Sequence, residues 1–93
     1  RASYRSGRSF ETVRLDDAAL TVRKCDPRGR ERRTDLEPFW SRARLERVSE
    51  NENKLWLEAK GRRVRVGSFL SPDERTAVHA VIADGLDRYR RRS

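Results

Sequence analysis

The stretch Val66-Gly67-Ser68-Phe69-Leu70-Ser71-Pro72-Asp73-Glu74-Arg75 constrains the fold most, because the hydrophobic period changes across it. Upstream, Val64 and Val66 alternate with Arg63 and Arg65, the two-residue period of a half-buried strand. Downstream, Val78, Val81, Ile82, Gly85, Leu86 and Tyr89 fall within an arc of roughly 140° at ~100° per residue, one buried helical stripe. The junction is a strong helix start. Ser71 and Glu74 have the spacing of a capping box, and Pro72 takes the first helical position, where a missing N–H costs nothing. Asp73 and Glu74 suit the positive end of the helix dipole. The reading is therefore a set of strands followed by one helix from Pro72 to about Tyr89, with Gly85 allowing close approach to the sheet.

A chain of 93 residues makes one small domain with a thin core. Charged residues make up 41% and hydrophobic residues 34%, close to the disordered range, but the apolar residues are periodic, which predicts a folded chain. The net charge of +8 favours anionic partners: a membrane surface, an acidic protein or nucleic acid. Cys25 is the only cysteine, so no internal disulfide forms, as suits a reducing compartment. No stretch has the ~20 apolar residues of a membrane span, and no signal peptide is expected. The lack of methionine predicts a fragment or a processed product.

Residues 1–9, basic and rich in serine, read as a flexible lead-in, and residues 10–93 as a single domain. Strands are expected at Phe10 to Leu15 and about Ala19 to Cys25, joined by Asp16-Asp17-Ala18, with Val13 facing Val22. Asp26-Pro27-Arg28-Gly29 fits a type I turn closed by a left-handed Gly. That bulge sets Thr34 opposite Val22 and Leu36 opposite Leu20 in a third strand, about Arg30 to Leu36. Phe39 to Val48 reads as a fourth strand after the break at Glu37-Pro38. Lys54 to Lys60 and Arg62 to Val66 form a hairpin about Lys60-Gly61, with Leu57 opposite Val64. The expected fold is α+β: an antiparallel meander of about six strands, bent or partly closed as in pleckstrin-homology-like domains, with the C-terminal helix plugging the open side. A flat sheet crossed by the helix is the alternative.

Several of these residues carry a resemblance. Val22, Asp26-Pro27-Arg28-Gly29, Pro38, Trp40, Arg42-Ala43-Arg44-Leu45, Leu55, Leu57, Gly61 and Gly67 recur with Phe69-Leu70-Ser71-Pro72-Asp73-Glu74-Arg75. The span from Phe10 to Leu86 resembles a bacterial integral-membrane family catalogued as domain of unknown function 2244. Members typically carry two transmembrane helices ahead of this region. The resemblance implies a domain at the cytoplasmic face of the bacterial inner membrane. It brings no activity and no functional residues.

The residues themselves favour binding over catalysis. His79 is the only histidine and flanks the helix stripe, where a packing role is expected. Cys25 has no sequence signature of an activating base, and Asp16-Asp17 and Asp73-Glu74 belong to a turn and a cap. No enzyme activity, cofactor, metal or small-molecule substrate is expected. The candidate site is the outward face of the last three strands: Arg42, Arg44, Trp56, Lys60, Arg63 and Arg65. In the expected register Glu46 and Arg65 flank Trp56, Arg44 and Arg63 flank Glu58, and Arg42 lies beside Lys60. Such a face, with an exposed indole, suits an anionic membrane surface or a protein partner. The alternative is nucleic acid, with bases stacked among the Arg and Trp side chains.

Overall fold

The structure, a computed structural model, describes residues 2–92. Its elements are β1 (Ala2–Ser6), β2 (Ser9–Leu15), β3 (Leu20–Cys25), β4 (Glu31–Leu36), a 3-10 turn (Pro38–Trp40), β5 (Arg42–Ser49), β6 (Glu52–Ala59), β7 (Arg62–Val66) and α1 (Pro72–Arg92). The strands form two antiparallel sheets, β1-β2-β3-β4 and β5-β6-β7. The α+β class and the C-terminal helix agree with the sequence. The single six-strand meander does not, and neither does one flat sheet, because the ladder stops between β4 and β5.

The physical reason lies at Glu37-Pro38. Pro38 has no N–H to donate to a ladder. The following backbone is satisfied locally instead: the Ser41 amide donates to Pro38 O at 3.2 Å and the Ser41 hydroxyl to Glu37 O at 2.6 Å. Phe39 and Trp40, expected in a strand, therefore sit in the 3-10 turn, and the strand begins at Arg42. At the other end of the chain, Ala2–Ser6 is an edge strand rather than a lead-in. It pairs with β2 from Ser6↔Ser9 to Ala2↔Val13, and the Ser3 and Thr12 hydroxyls meet at 3.3 Å across the pair.

Short turns with specific chemistry set the other registers. In the β3–β4 hairpin, Asp26 N donates to Arg30 O at 2.9 Å and Gly29 N to Asp26 O at 3.0 Å. Gly29 has φ +84, the left-handed region where a Cβ is unfavourable. The result is Val22↔Thr34 and Leu20↔Leu36. The β2–β3 pairing Val13↔Val22 and the β6–β7 pairing Leu57↔Val64 are also as the sequence implies.

Both sheets and the helix share one core. Val13, Leu20, Val22 and Leu36 from the first sheet pack with Leu55, Leu57, Ala59 and Val66 from the second, and Ile82 and Leu86 close it. The capping box is formed, Ser71 N donating to Glu74 Oε1 at 2.8 Å and Glu74 N to Ser71 Oγ at 3.2 Å. Val81 departs from the expected stripe and is 64% exposed. The helix seats against β5, β6 and the 3-10 turn, so its buried line runs through Arg75, Val78, Ile82 and Leu86 and leaves Val81 at the rim. Gly85 is not needed for close approach, since a Cβ there meets only Leu15 Cδ2 at 3.7 Å, an ordinary contact.

Candidate anionic-surface face

Alternation along β5, β6 and β7 sends Arg42, Arg44, Glu46, Lys54, Trp56, Glu58, Arg63 and Arg65 to the side opposite the core. The face thus carries five cations and two carboxylates. Its register differs from the expected one by two residues across β5–β6. Arg42 faces Glu58, Arg44 faces Trp56 and Glu46 faces Lys54. A one-residue irregularity between Arg47 and Ser49 supplies half of the offset, and the tight Glu50-Asn51 turn, which pairs Ser49 with Glu52, supplies the other half. An even shift keeps every side chain on its face. The expected neighbours consequently survive as diagonals: Arg44 Nη1 lies 3.6 Å from Glu58 Oε2, and Trp56 Nε1 donates to Glu46 Oε1 at 3.1 Å.

The structure brings Arg44, Trp56, Arg63 and Arg65 side by side, with Arg42 opposite Glu58. Lys60 stands apart in the β6–β7 turn, where it adopts φ +49. Trp56 is not the exposed indole that the sequence suggested. It is half-buried, and the Arg63 guanidinium carbon lies 3.7 Å from its ring centroid, a cation–π stack. The indole N–H holds the Glu46 carboxyl below its usual pKa, so Glu46 stays ionised and keeps the ring in place. Among the described residues, the buried Nε of Arg65 is a polar side-chain atom without a hydrogen-bond partner.

The exposed indole is Trp40. It is 59% exposed, and Phe39 beside it is 40% exposed. Their rings meet edge to face at 5.2 Å, and Lys60 Nζ lies 5.7 Å from the Trp40 centroid. Trp40 lines a shallow depression with Arg42, Glu58, Lys60, Arg62 and Arg63. The aromatic turn and the basic face therefore adjoin. Sequence reasoning missed this because Phe39 and Trp40 were assigned to opposite faces of a strand. The available signal was Pro38, a favoured first residue of a helical turn.

The opposite end of β7 is a polar hub. Arg75, 3% exposed, donates through Nη1 to Gly67 O at 3.1 Å and to Leu70 O. Its Nε donates to Asn53 Oδ1 at 2.8 Å, and its Nη2 to Glu52 Oε1 at 2.6 Å. Buried Glu11 on β2 accepts from Gly67 N at 2.8 Å, so the Gly67 peptide ties the two sheets and the helix together. Gly67 has φ +69, and a Cβ there would lie 3.0 Å from Leu70 Cδ1. These residues hold the scaffold that presents the basic face. No periodicity marks a buried arginine, which is why only its place in the first helical turn was legible.

The groups that resemble catalytic residues have structural partners. His79 Nε2 is 3.1 Å from Ala43 O, and Cys25 Sγ is 3.6 Å from Asp26 O. Asp16 accepts the Ala18 and Ala19 amides, and those bonds lower its pKa, the Ala19 amide most. Among the described residues, no group of three or more His, Cys, Asp or Glu is placed to hold a metal. Among the same residues, no helix is long and apolar enough to cross a membrane.

Comparison with curated proteins and with solved structures gives no match. The model of one protein family, described as integral membrane protein (DUF2244), matches residues 1–86, from the start of the chain into the second half of α1. That span contains both sheets, the 3-10 turn and the capping box. The chain belongs to the DUF2244 family of integral membrane proteins.

Proposed function

We propose that this is a non-enzymatic, membrane-proximal domain that binds or scaffolds through the outward face of β5–β7, which lies against anionic lipid headgroups. The observation that carries the reading is the charge of that face, five cations against two carboxylates, in a chain of an integral membrane protein family. Glu46 is engaged by Trp56 and Glu58 by Arg44, so the surplus is cationic. Each Lys or Arg near such a surface contributes about 1 kcal/mol, and salt screens the effect. Tethering by membrane segments elsewhere in the protein would raise the local concentration, so weak contact suffices. The finer readings belong with it: a bacterial protein, a cytoplasmic location, and a pleckstrin-homology-like arrangement supported by four strands, three strands and a closing helix. The nucleic-acid alternative is weaker at Trp56, because the Arg63 guanidinium already stacks over that ring where a base would.

The test is co-sedimentation with neutral and anionic vesicles, using the chain and its Arg42→Ser/Arg44→Ser/Arg63→Ser/Arg65→Ser variant, with folding checked by circular dichroism. The expected result is binding to anionic vesicles only, lost at high salt and lost in the folded variant. Equal binding to both vesicle types, or undiminished binding by the variant, contradicts the proposal and turns attention to a protein partner.

A further inference from the structure

We infer that the Phe39-Trp40 turn is the interfacial anchor of this surface, inserting the Trp40 ring among anionic lipid headgroups and so fixing which edge of the domain meets the bilayer. The inference rests on the membrane reading above and specifies how the surface engages. Three observations carry it.

The turn is built to hold its aromatic residues out. Pro38 and Ser41 on either side are buried, the Ser41 amide and hydroxyl are bound to Pro38 O and Glu37 O, and Arg90 Nη1 donates to Ser41 O at 2.8 Å. The backbone is thus clamped to the basic end of the helix while Phe39 and Trp40 remain outside the core. Single exposed apolar residues are ordinary on protein surfaces. Two adjacent aromatic residues on a rigid turn form a continuous projecting patch.

The ring is amphipathic and surrounded by cations. Lys60 lies over Trp40, and Arg42, Arg62 and Arg63 line the same depression. Its one carboxylate, Glu58, is paired with Arg44. An indole sits well at the level of lipid headgroups, where its body is in apolar surroundings and its N–H remains hydrated. Cations around it meet the phosphates. An acidic peptide offers the same charge, but lipid is the source favoured by the membrane family.

The two indoles are in different states, which makes the inference readable. Trp40 is 59% exposed, whereas Trp56 is covered by Arg63 and bonded to Glu46. The experiment uses Trp56→Phe, leaving Trp40 as the only indole, and Trp40→Phe, leaving Trp56. Each is titrated at low salt with vesicles containing anionic lipid, with and without brominated acyl chains near the headgroup. Sedimentation of the same samples reports binding separately.

Expected are a blue shift and bromine quenching for Trp40, little change for Trp56, and about tenfold weaker partitioning for Trp40→Ala, from loss of one partly inserted aromatic ring. Sedimentation with no blue shift or quenching of Trp40 overturns the anchor and leaves the electrostatic contact standing. Absence of sedimentation overturns both. If Trp40 responds to a single-stranded oligonucleotide and not to vesicles, the turn is a base-stacking site and the inference is wrong.

Discussion

Arg75→Ala probes the joint between the two sheets and the helix. The guanidinium donates to Gly67 O, Leu70 O, Asn53 Oδ1 and Glu52 Oε1, and the side chain is 4% exposed. Truncation leaves three carbonyls, those of Gly67, Leu70 and the more distant Ser68 at 3.4 Å, and one side-chain amide oxygen without this donor. A buried acceptor left unsatisfied costs about 1–3 kcal/mol, with the lower figure apt where water enters. The Glu52 side chain, 51% exposed, regains water and contributes little. Together with the lost packing of the aliphatic stem against Gly67, the expected loss is about 3–4 kcal/mol. The whole domain has about 5–14 kcal/mol, so this is a large fraction. The assay is urea denaturation followed by far-ultraviolet circular dichroism. With a slope of ~1–1.5 kcal/mol/M, the midpoint falls by about 2–4 M. Arg75→Lys keeps the charge but not the fork, and lies between. The control is Arg88→Ala, whose 3.2 Å pair with Asp84 is largely exposed and contributes ~0–1 kcal/mol. If Arg75→Ala shifts the midpoint no more than Arg88→Ala does, the hub reasoning is refuted.

Other substitutions separate backbone effects from packing. Gly85→Ala is expected to stabilise by up to ~1 kcal/mol through helix propensity, since the added Cβ meets only Leu15 at 3.7 Å; a lower urea midpoint contradicts this. Gly67→Ala is expected to destabilise by about 1–3 kcal/mol because φ is +69 and the Cβ presses on Leu70; an unchanged midpoint shows that the loop adapts. Ser71→Ala removes the cap to Glu74 and is expected to cost about 1 kcal/mol by the same assay. Glu74 itself reads the pH dependence. The Ser71 amide, then its hydroxyl, lowers the Glu74 pKa from its ordinary 4.5, so its contribution is complete above 4.5 and lost as pH falls through the lower folded value. Glu74→Gln is therefore less stable than the unaltered chain at neutral pH and converges with it in acid. A constant gap across that range rules out the linkage.

Legibility in the sequence followed turn chemistry. The β2–β3, β3–β4 and β6–β7 registers were readable because Asp16-Asp17-Ala18, Asp26-Pro27-Arg28-Gly29 and Lys60-Gly61 are short turns with few solutions. The β5–β6 register was not. Ser49 to Asn53 is polar without a specifying residue, and the irregularity beside it leaves no trace in the hydrophobic pattern. Arg42, Arg44, Trp56, Arg63 and Arg65 nevertheless keep the expected face, since a shift of two preserves it, whereas Lys60, expected beside Arg42, falls in the turn. Trp56, expected exposed, is half-covered, and Trp40, expected in a strand, is exposed on a turn, each because of local partners. Arg63 and Glu46 cover the first, while Pro38 turns the second out of the strand. Ala2–Ser6 lacked any strand pattern of its own, and its pairing is supplied by β2.

The contact of the basic face with lipid is tested most directly by asking which backbone amides approach a bilayer. The measurement is paramagnetic broadening of the chain's amide resonances by a gadolinium-chelating lipid in anionic nanodiscs. The account predicts strongest broadening at Trp40, Lys60 and Gly61, extending along the outward positions of β5–β7, with the Asp26–Gly29 turn at the far end spared. Broadening that is uniform, or strongest at Asp26–Gly29, contradicts it.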